Sequence, residues 1–200
     1  MLTRLKKQVQ SILSTEAKLL HNLGMTPNQI SAIGIFLAFL AGCFYWVWHY
    51  NHLFLIVAPI FFLLSGLCDA LDGAVARLHG ETTVFGGFLD SLLDRYADAF
   101  ILVAITVSGL CDVFWGSVAL VGSLLVSYAR ARAEAAGAKM ETVGFAERAE
   151  RILILTAASF VAFFWLDALC WSIIIVAVLT NLTVLQRTVH FYNASRKKES

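Results

Sequence analysis

Four aspartates stand at fixed spacing in an otherwise apolar stretch of this chain: D69-A-L-D72-G73-A-V-A76-R77, eight residues, then G86-G-F-L-D90-S-L-L-D94. On helices, Asp69 and Asp72 (three apart) share one face, and so do Asp90 and Asp94 (four apart). If the two helices form an antiparallel hairpin, all four carboxylates converge on one interhelical cleft and repel one another unless a cation lies among them. An all-oxygen ligand set suits a hard divalent ion, Mg²⁺, Mn²⁺ or Ca²⁺, and neither acid pair contains the His or Cys that zinc prefers. His79 is read as a loop residue. Acids in apolar spans also serve as Arg partners, proton relays or ion paths. Arg95 could pair with one of them, but four acids on two helices exceed the nearby bases. Gly73, Ala76, Gly86 and Gly87 leave space for a ligand or for close helix packing, and Arg77 suits a phosphate or pyrophosphate.

The elements carrying these residues are membrane helices. Apolar residues make up 59% of the 200, and the mean hydropathy is +0.75. Such a profile excludes an ordinary soluble domain. A helical span needs about 20 apolar residues, and six candidates follow: roughly 28–49, 53–76, 87–110, 113–134, 149–166 and 168–191. The expectation is a single all-α domain: a surface helix over 1–24, a six-span bundle over 28–191 and a basic tail over 192–200. No small-residue cleavage site follows the first span, so the N-terminal segment is not read as a cleaved signal peptide.

All fifteen Lys and Arg residues fall on one side of this six-span layout, and that side is the cytoplasm by the positive-inside rule. Both termini then face the cytoplasm of a multi-pass protein in the cell membrane. The five tryptophans, Trp46, Trp48, Trp115, Trp165 and Trp171, cluster at the opposite face, where indole rings favour the headgroup level. Ahead of the first span, Leu2, Leu5, Val9, Ile12, Leu13, Ala17 and Leu20 recur at helical spacing, which predicts an amphipathic helix on the cytoplasmic surface, with a cap packed on the bundle as the alternative. Thr26, Pro27 and Gln29 form a helix-start signature with a capping box. Asn28 and Ser31 place polar groups just inside the span, on the same side as the acids.

Cys43, Cys68, Cys111 and Cys170 have no metal-type spacing and read as small buried residues. A disulfide between Cys111 and Cys170, both near the non-cytoplasmic face, is the minority alternative. There is no internal repeat and no basic patch of the kind nucleic acids require.

The spaced motif D-x-x-D-G-x-x-A-R, eight residues, G-x-x-x-D-x-x-x-D is similar to that of the CDP-alcohol phosphotransferases, and each of its defined positions is present: Asp69, Asp72, Gly73, Ala76, Arg77, Gly86, Asp90 and Asp94. The six-span layout with an amphipathic leader resembles the family as well. The resemblance implies transfer of a substituted phosphate from a CDP-linked lipid to an alcohol, with release of CMP. It implies two divalent ions, Mg²⁺ or Mn²⁺, held by Asp69, Asp72, Asp90 and Asp94, with Asp94 also the general base. Asn28, Asp69, Gly73, Ala76 and Arg77 would bind the CDP-lipid. A homodimer is also implied.

The acceptor is approached through the arginines. S127-Y-A-R130-A-R132-A-E134 closes the fourth span, E147-R148-A-E150-R151 opens the fifth, and Arg187 lies near the end of the sixth. So many guanidinium groups suit an acceptor that itself carries phosphate. These segments resemble the phosphatidylinositol-phosphate synthase branch of the family and its archaeal counterpart, which implies inositol 1-phosphate bound by Ser127, Arg130, Arg132, Arg148, Arg151 and Arg187. Arg130 departs from the Lys found in bacterial members, replacing a point charge with a planar fork. The alternatives are glycerol 3-phosphate or another alcohol as acceptor and, in a different class, a divalent-cation transporter.

Overall fold

The computed structural model describes residues 13–140 and 143–199, which among themselves are helical with no strand. The first helix, α1, covers residues 13–22. It is followed by α2 (Pro27–Trp46), a 3₁₀ turn (Trp48–Tyr50), α3 (Phe54–His79), α4 (Val84–Val107), α5 (Val113–Ala135), α6 (Arg148–Ala162) and α7 (Asp167–Glu199). The expected capping box opens α2: Gln29 N donates to Thr26 Oγ1 over 3.4 Å and Thr26 N to Gln29 Oε1 over 2.9 Å. Thr83 and Asp112 cap α4 and α5 through Gly86 N and Phe114 N. His79 is the last residue of α3 rather than a loop residue, because the left-handed cap at Gly80 (φ +69°) ends the helix one position later. The tail expected over 192–200 continues α7 as far as Glu199, since no Gly or Pro interrupts the chain after Asp167.

Helices α2, α3, α5 and α7 are long and apolar enough to cross a bilayer, and by these the chain is a membrane protein. The other two expected spans fall short of that standard. α4 carries Asp90, Asp94, Arg95 and Asp98, and α6 has only 15 residues.

The six long helices close a ring in which α2 packs on α3 and α4, α3 on α6, α6 on α7, α7 on α5, and α5 on α4. The expected α3–α4 hairpin is therefore corrected, because α2 stands between them. Small residues let it do so. A Cβ on Gly34 would lie 3.1 Å from Cys68 Cβ on α3, one on Gly42 would run into the Phe100 ring on α4, and Ala38 and Ala41 between them are fully buried. Far from the acids the ring is filled by Tyr45, Phe62, Ile101, Ile105, Leu169 and Ile173. At the other end α3 and α4 stay apart, and this separation is the cleft.

α1 packs across the acid-bearing end of the ring. Ala17 is fully buried, and Leu13 and Leu20 rest against Ile30, Leu71 and Val75. The His21 ring stacks on His79 with centroids 3.5 Å apart. The leading part of the expected amphipathic stripe, Leu2, Leu5, Val9 and Ile12, lies outside the described residues.

Candidate active site

Every helix of the ring sends residues to one end. From α3 and α4, carboxylate oxygens of Asp69, Asp72 and Asp90 lie within 4.8 Å of one another. Asp72 is only 5% exposed, and its Oδ2 accepts from Ser31 Oγ on α2, which also bonds Pro27 O at 3.1 Å. These oxygens are hard donors and no imidazole or thiolate joins the cluster, so the residues present fit Mg²⁺ or Mn²⁺.

Asp94, one turn further along α4, stands outside this triad and is linked to it by a base. Arg148, the first residue of α6, places Nη1 2.6 Å from Asp69 Oδ2 and 2.8 Å from Asp94 Oδ1, as charge contacts off the hydrogen-bonding direction. Its Nε donates to Asp98 Oδ1 over 3.4 Å. Asp98, 8% exposed, also takes a hydrogen bond from Arg151 Nη2, while Arg151 Nη1 donates to Ala146 O over 2.9 Å.

Asp98 was not among the expected site residues, yet its signal is present in the chain. Asp90, Asp94 and Asp98 repeat every four positions, so the acidic face of α4 is one turn longer than the motif. Removing this carboxylate strands a buried guanidinium, for which a cost of about 3–5 kcal/mol is typical. Asp98→Ala is therefore expected to lower the thermal midpoint of the solubilised protein clearly, with partial recovery in Asp98→Glu. A midpoint unchanged in Asp98→Ala would contradict this role.

Two cavities meet at the acids. One, of about 330 Å³, is lined by Asn28, Gly73, Ala76, Arg77 and Gly86, with Asp72 and Asp90 at its inner wall. A Cβ on Gly73 would lie 3.0 Å from Arg77 Nη1, so the missing side chain leaves room for that guanidinium to fold back along the helix. The other, of about 310 Å³, is lined by Ser127, Arg130, Arg148, Arg151 and Arg187, with Asp69 and Asp94 at its inner wall. Asp69, expected with the donor group, thus faces the arginine side. A narrow gap lined by Ser31, Asp69, Asp72, Asp90, Asp94 and Arg148 joins the two.

The expected arginines differ in what they hold. Arg187, 2% exposed, donates through Nε to Val143 O (2.8 Å) and through Nη1 to Val126 O (2.6 Å), tying the α5–α6 loop and α5 itself to α7. Thr183 Oγ1 on α7 reinforces this by accepting from Phe145 N and Ala146 N, both at 3.2 Å. Arg187 and Arg151 thus build the cavity wall. Arg130 sits at the rim with Nε 3.0 Å from Glu134 Oε1. Arg132 does not join them. It lines a neighbouring cavity of about 400 Å³ with Tyr128, Val184 and Phe191 between α5 and α7, where Arg187 borders both cavities.

Residues 24–184 match the family model described as CDP-alcohol phosphatidyltransferase. The chain is 38% identical to the archaetidylinositol phosphate synthase of Pyrococcus horikoshii over 199 residues, covering 100% of this chain and 99% of that protein. It is 33% identical to the phosphatidylinositol phosphate synthase of Mycobacterium tuberculosis over 86% of this chain and 81% of that one. The crystal structure of a Mycobacterium tuberculosis phosphatidylinositol phosphate synthase with CDP-DAG bound superposes with a TM-score of 0.78 at 28% identity, covering 91% of this chain and 94% of that chain. The same protein in complex with manganese and citrate gives a TM-score of 0.76 at 28% identity, over 90% and 88% of the two chains.

Proposed function

The chain belongs to the CDP-alcohol phosphatidyltransferase family, and from that premise we propose that it transfers an archaetidyl or phosphatidyl group from a CDP-linked lipid to inositol 1-phosphate, releasing CMP. Family membership sets aside the cation-transporter alternative. The observation that carries the acceptor choice is the arginine-lined cavity, which meets the Asn28–Arg77 cavity across a partition of carboxylates. The similarity to proteins named as inositol phosphate lipid synthases supports the same acceptor.

In this reading Asn28, Gly73, Ala76 and Arg77 hold the CDP moiety, with the guanidinium of Arg77 on the pyrophosphate. Asp69, Asp72 and Asp90, with Asp94 assisting, would hold divalent ions, which when bound would neutralise the pyrophosphate and the charge that builds on departing CMP. Ser31 orients the Asp72 carboxylate through its hydrogen bond. The acceptor phosphate sits near Arg130 and Arg148, inside the wall that Arg151 and Arg187 build. An acceptor hydroxyl then points at the partition, where Asp94 takes its proton as the oxygen attacks the β-phosphorus and the bond to CMP breaks. Holding both reactants in adjoining cavities makes the encounter effectively intramolecular.

The acid-bearing end faces the cytoplasm, because in the six-span layout every Lys and Arg of the sequence falls on that side. All six long helices cross the membrane, with the charges of α4 directed into the ring and α6 seated in it as a short span. α1 lies along the cytoplasmic surface, and two copies associate as a homodimer. Light scattering of the solubilised protein checks the last point.

Free inositol tests the acceptor assignment. It offers the same hydroxyls without a phosphate, and loss of contacts to charged groups of this kind typically costs about 2–5 kcal/mol. Its kcat/KM is expected to be at least roughly 30-fold below that of inositol 1-phosphate. Equal use of both would remove phosphate recognition from the account.

A further inference from the structure

At the end of the ring opposite the acids, two thiols meet. Cys111 lies in the turn between α4 and α5, just past Gly109 (φ +79°), and Cys170 lies in the first turn of α7, 59 positions later. Their sulfurs are 2.9 Å apart, and Cys111 Sγ is 3.9 Å from the Cys170 carbonyl oxygen. Cys111 is 7% exposed within the apolar core and Cys170 packs half-buried against the same cluster. α4 and α7 do not pack on one another in the ring. A bond here would therefore cross-link two helices that the ring does not pack against each other.

We propose that Cys111 and Cys170 form a disulfide that fastens the α4–α5 turn to the start of α7 on the extracytoplasmic face. This rests on the orientation given above, since that face is the oxidising one. The oxidant is a protein disulfide of that compartment. The thiolate of Cys170, the more accessible of the pair, attacks it and forms a mixed disulfide. Cys111 then gives up its proton and displaces the oxidant's second sulfur, so two protons and two electrons leave the chain and the oxidant departs as a dithiol. The apolar setting of Cys111 keeps small thiols away from the finished bond. Its consequence is mechanical: α4 carries Asp90, Asp94 and Asp98, α7 carries Arg187, and the bridge fixes the far ends of these two helices relative to each other.

Membranes holding the full chain are denatured directly into iodoacetamide, then reduced and treated with a second, mass-distinct alkylating reagent. Cys43 and Cys68 serve as internal references, because no other cysteine adjoins either. The expected result is that Cys43 and Cys68 carry the first label and Cys111 and Cys170 almost only the second, with the unreduced protein lighter by two hydrogens. First-label occupancy at Cys111 and Cys170 equal to that at Cys43 and Cys68 would overturn the bridge. Orientation is tested separately by adding Asn51→Cys or Lys139→Cys to a chain whose four native cysteines are replaced by Ser. Labelling of Asn51→Cys alone by an impermeant maleimide on intact cells supports the orientation. With the native pair found reduced, that pattern overturns the bridge and leaves the orientation standing. Labelling of Lys139→Cys alone overturns the orientation, and the bridge loses its oxidant.

Discussion

Asp94→Asn is expected to lower kcat roughly 1000-fold while the protein still binds CDP-lipid with nearly unchanged affinity. A positioned general base typically contributes between about 100- and 10,000-fold, and the amide keeps the shape of the carboxylate while losing its ability to take a proton. Geometry explains why binding should survive. Asp94 stands outside the group of oxygens formed by Asp69, Asp72 and Asp90, and it lines the arginine-rich cavity rather than the one with Asn28 and Arg77. Asp72→Asn should behave differently, weakening metal-dependent donor binding together with turnover. The discriminating measurement is single-turnover CMP release at saturating donor, alongside direct binding of CDP-lipid. Near-normal turnover in Asp94→Asn would remove the general-base role.

Arg148→Ala is expected to lower kcat/KM for inositol 1-phosphate by roughly 100- to 1000-fold, which corresponds to about 3–4 kcal/mol. One guanidinium contacts Asp69, Asp94 and Asp98 together. Its loss leaves Asp69 and Asp94 facing each other without that counter-charge, while Asp98 keeps Arg151, and it removes a cation from the acceptor cavity. Arg148→Lys should recover little, because a compact ammonium on a flexible stem cannot span three acceptors as a planar fork does. The division between constants carries the information: acceptor KM rises and kcat falls, while the CDP-lipid KM stays close to wild type. A mutant whose donor KM rises while its acceptor KM holds would move Arg148 to the other cavity.

The site's chemistry was legible because its signal is local. Two acid pairs at spacings of three and four must each share a helix face whatever the rest of the chain does, and the apolar runs place those faces at one end of a bundle. The neighbour of α3 was less accessible. A short connection suggests direct packing with α4, but Gly34 and Gly42 let α2 sit between them, and this depends on helix rotation rather than on order along the chain. Arg132 could have been separated from the acceptor set in advance. It stands two positions from Arg130, and residues two apart point to opposite sides of a helix, as their separate cavities bear out. That Arg187 also binds the carbonyls of Val126 on α5 and Val143 in the α5–α6 loop could not be read in advance, because carbonyl directions leave no trace in residue identity. The placement of Arg148 among the acids is likewise tertiary. It depends on α6 packing against α3 at the level where Asp69 points inward.

The central claim is that the carboxylate partition transfers a lipid phosphoryl group to an acceptor that already bears phosphate. It is tested most directly by incubating the purified protein in bilayers with CDP-lipid, Mg²⁺ or Mn²⁺, and either inositol 1-phosphate or glycerol 3-phosphate, then measuring CMP and the lipid product by mass spectrometry. The expected result is one phosphoinositol-phosphate lipid for each CMP released, and little CMP with glycerol 3-phosphate. CMP and a phosphoglycerol-phosphate lipid formed with glycerol 3-phosphate, and no product with inositol 1-phosphate, would contradict it.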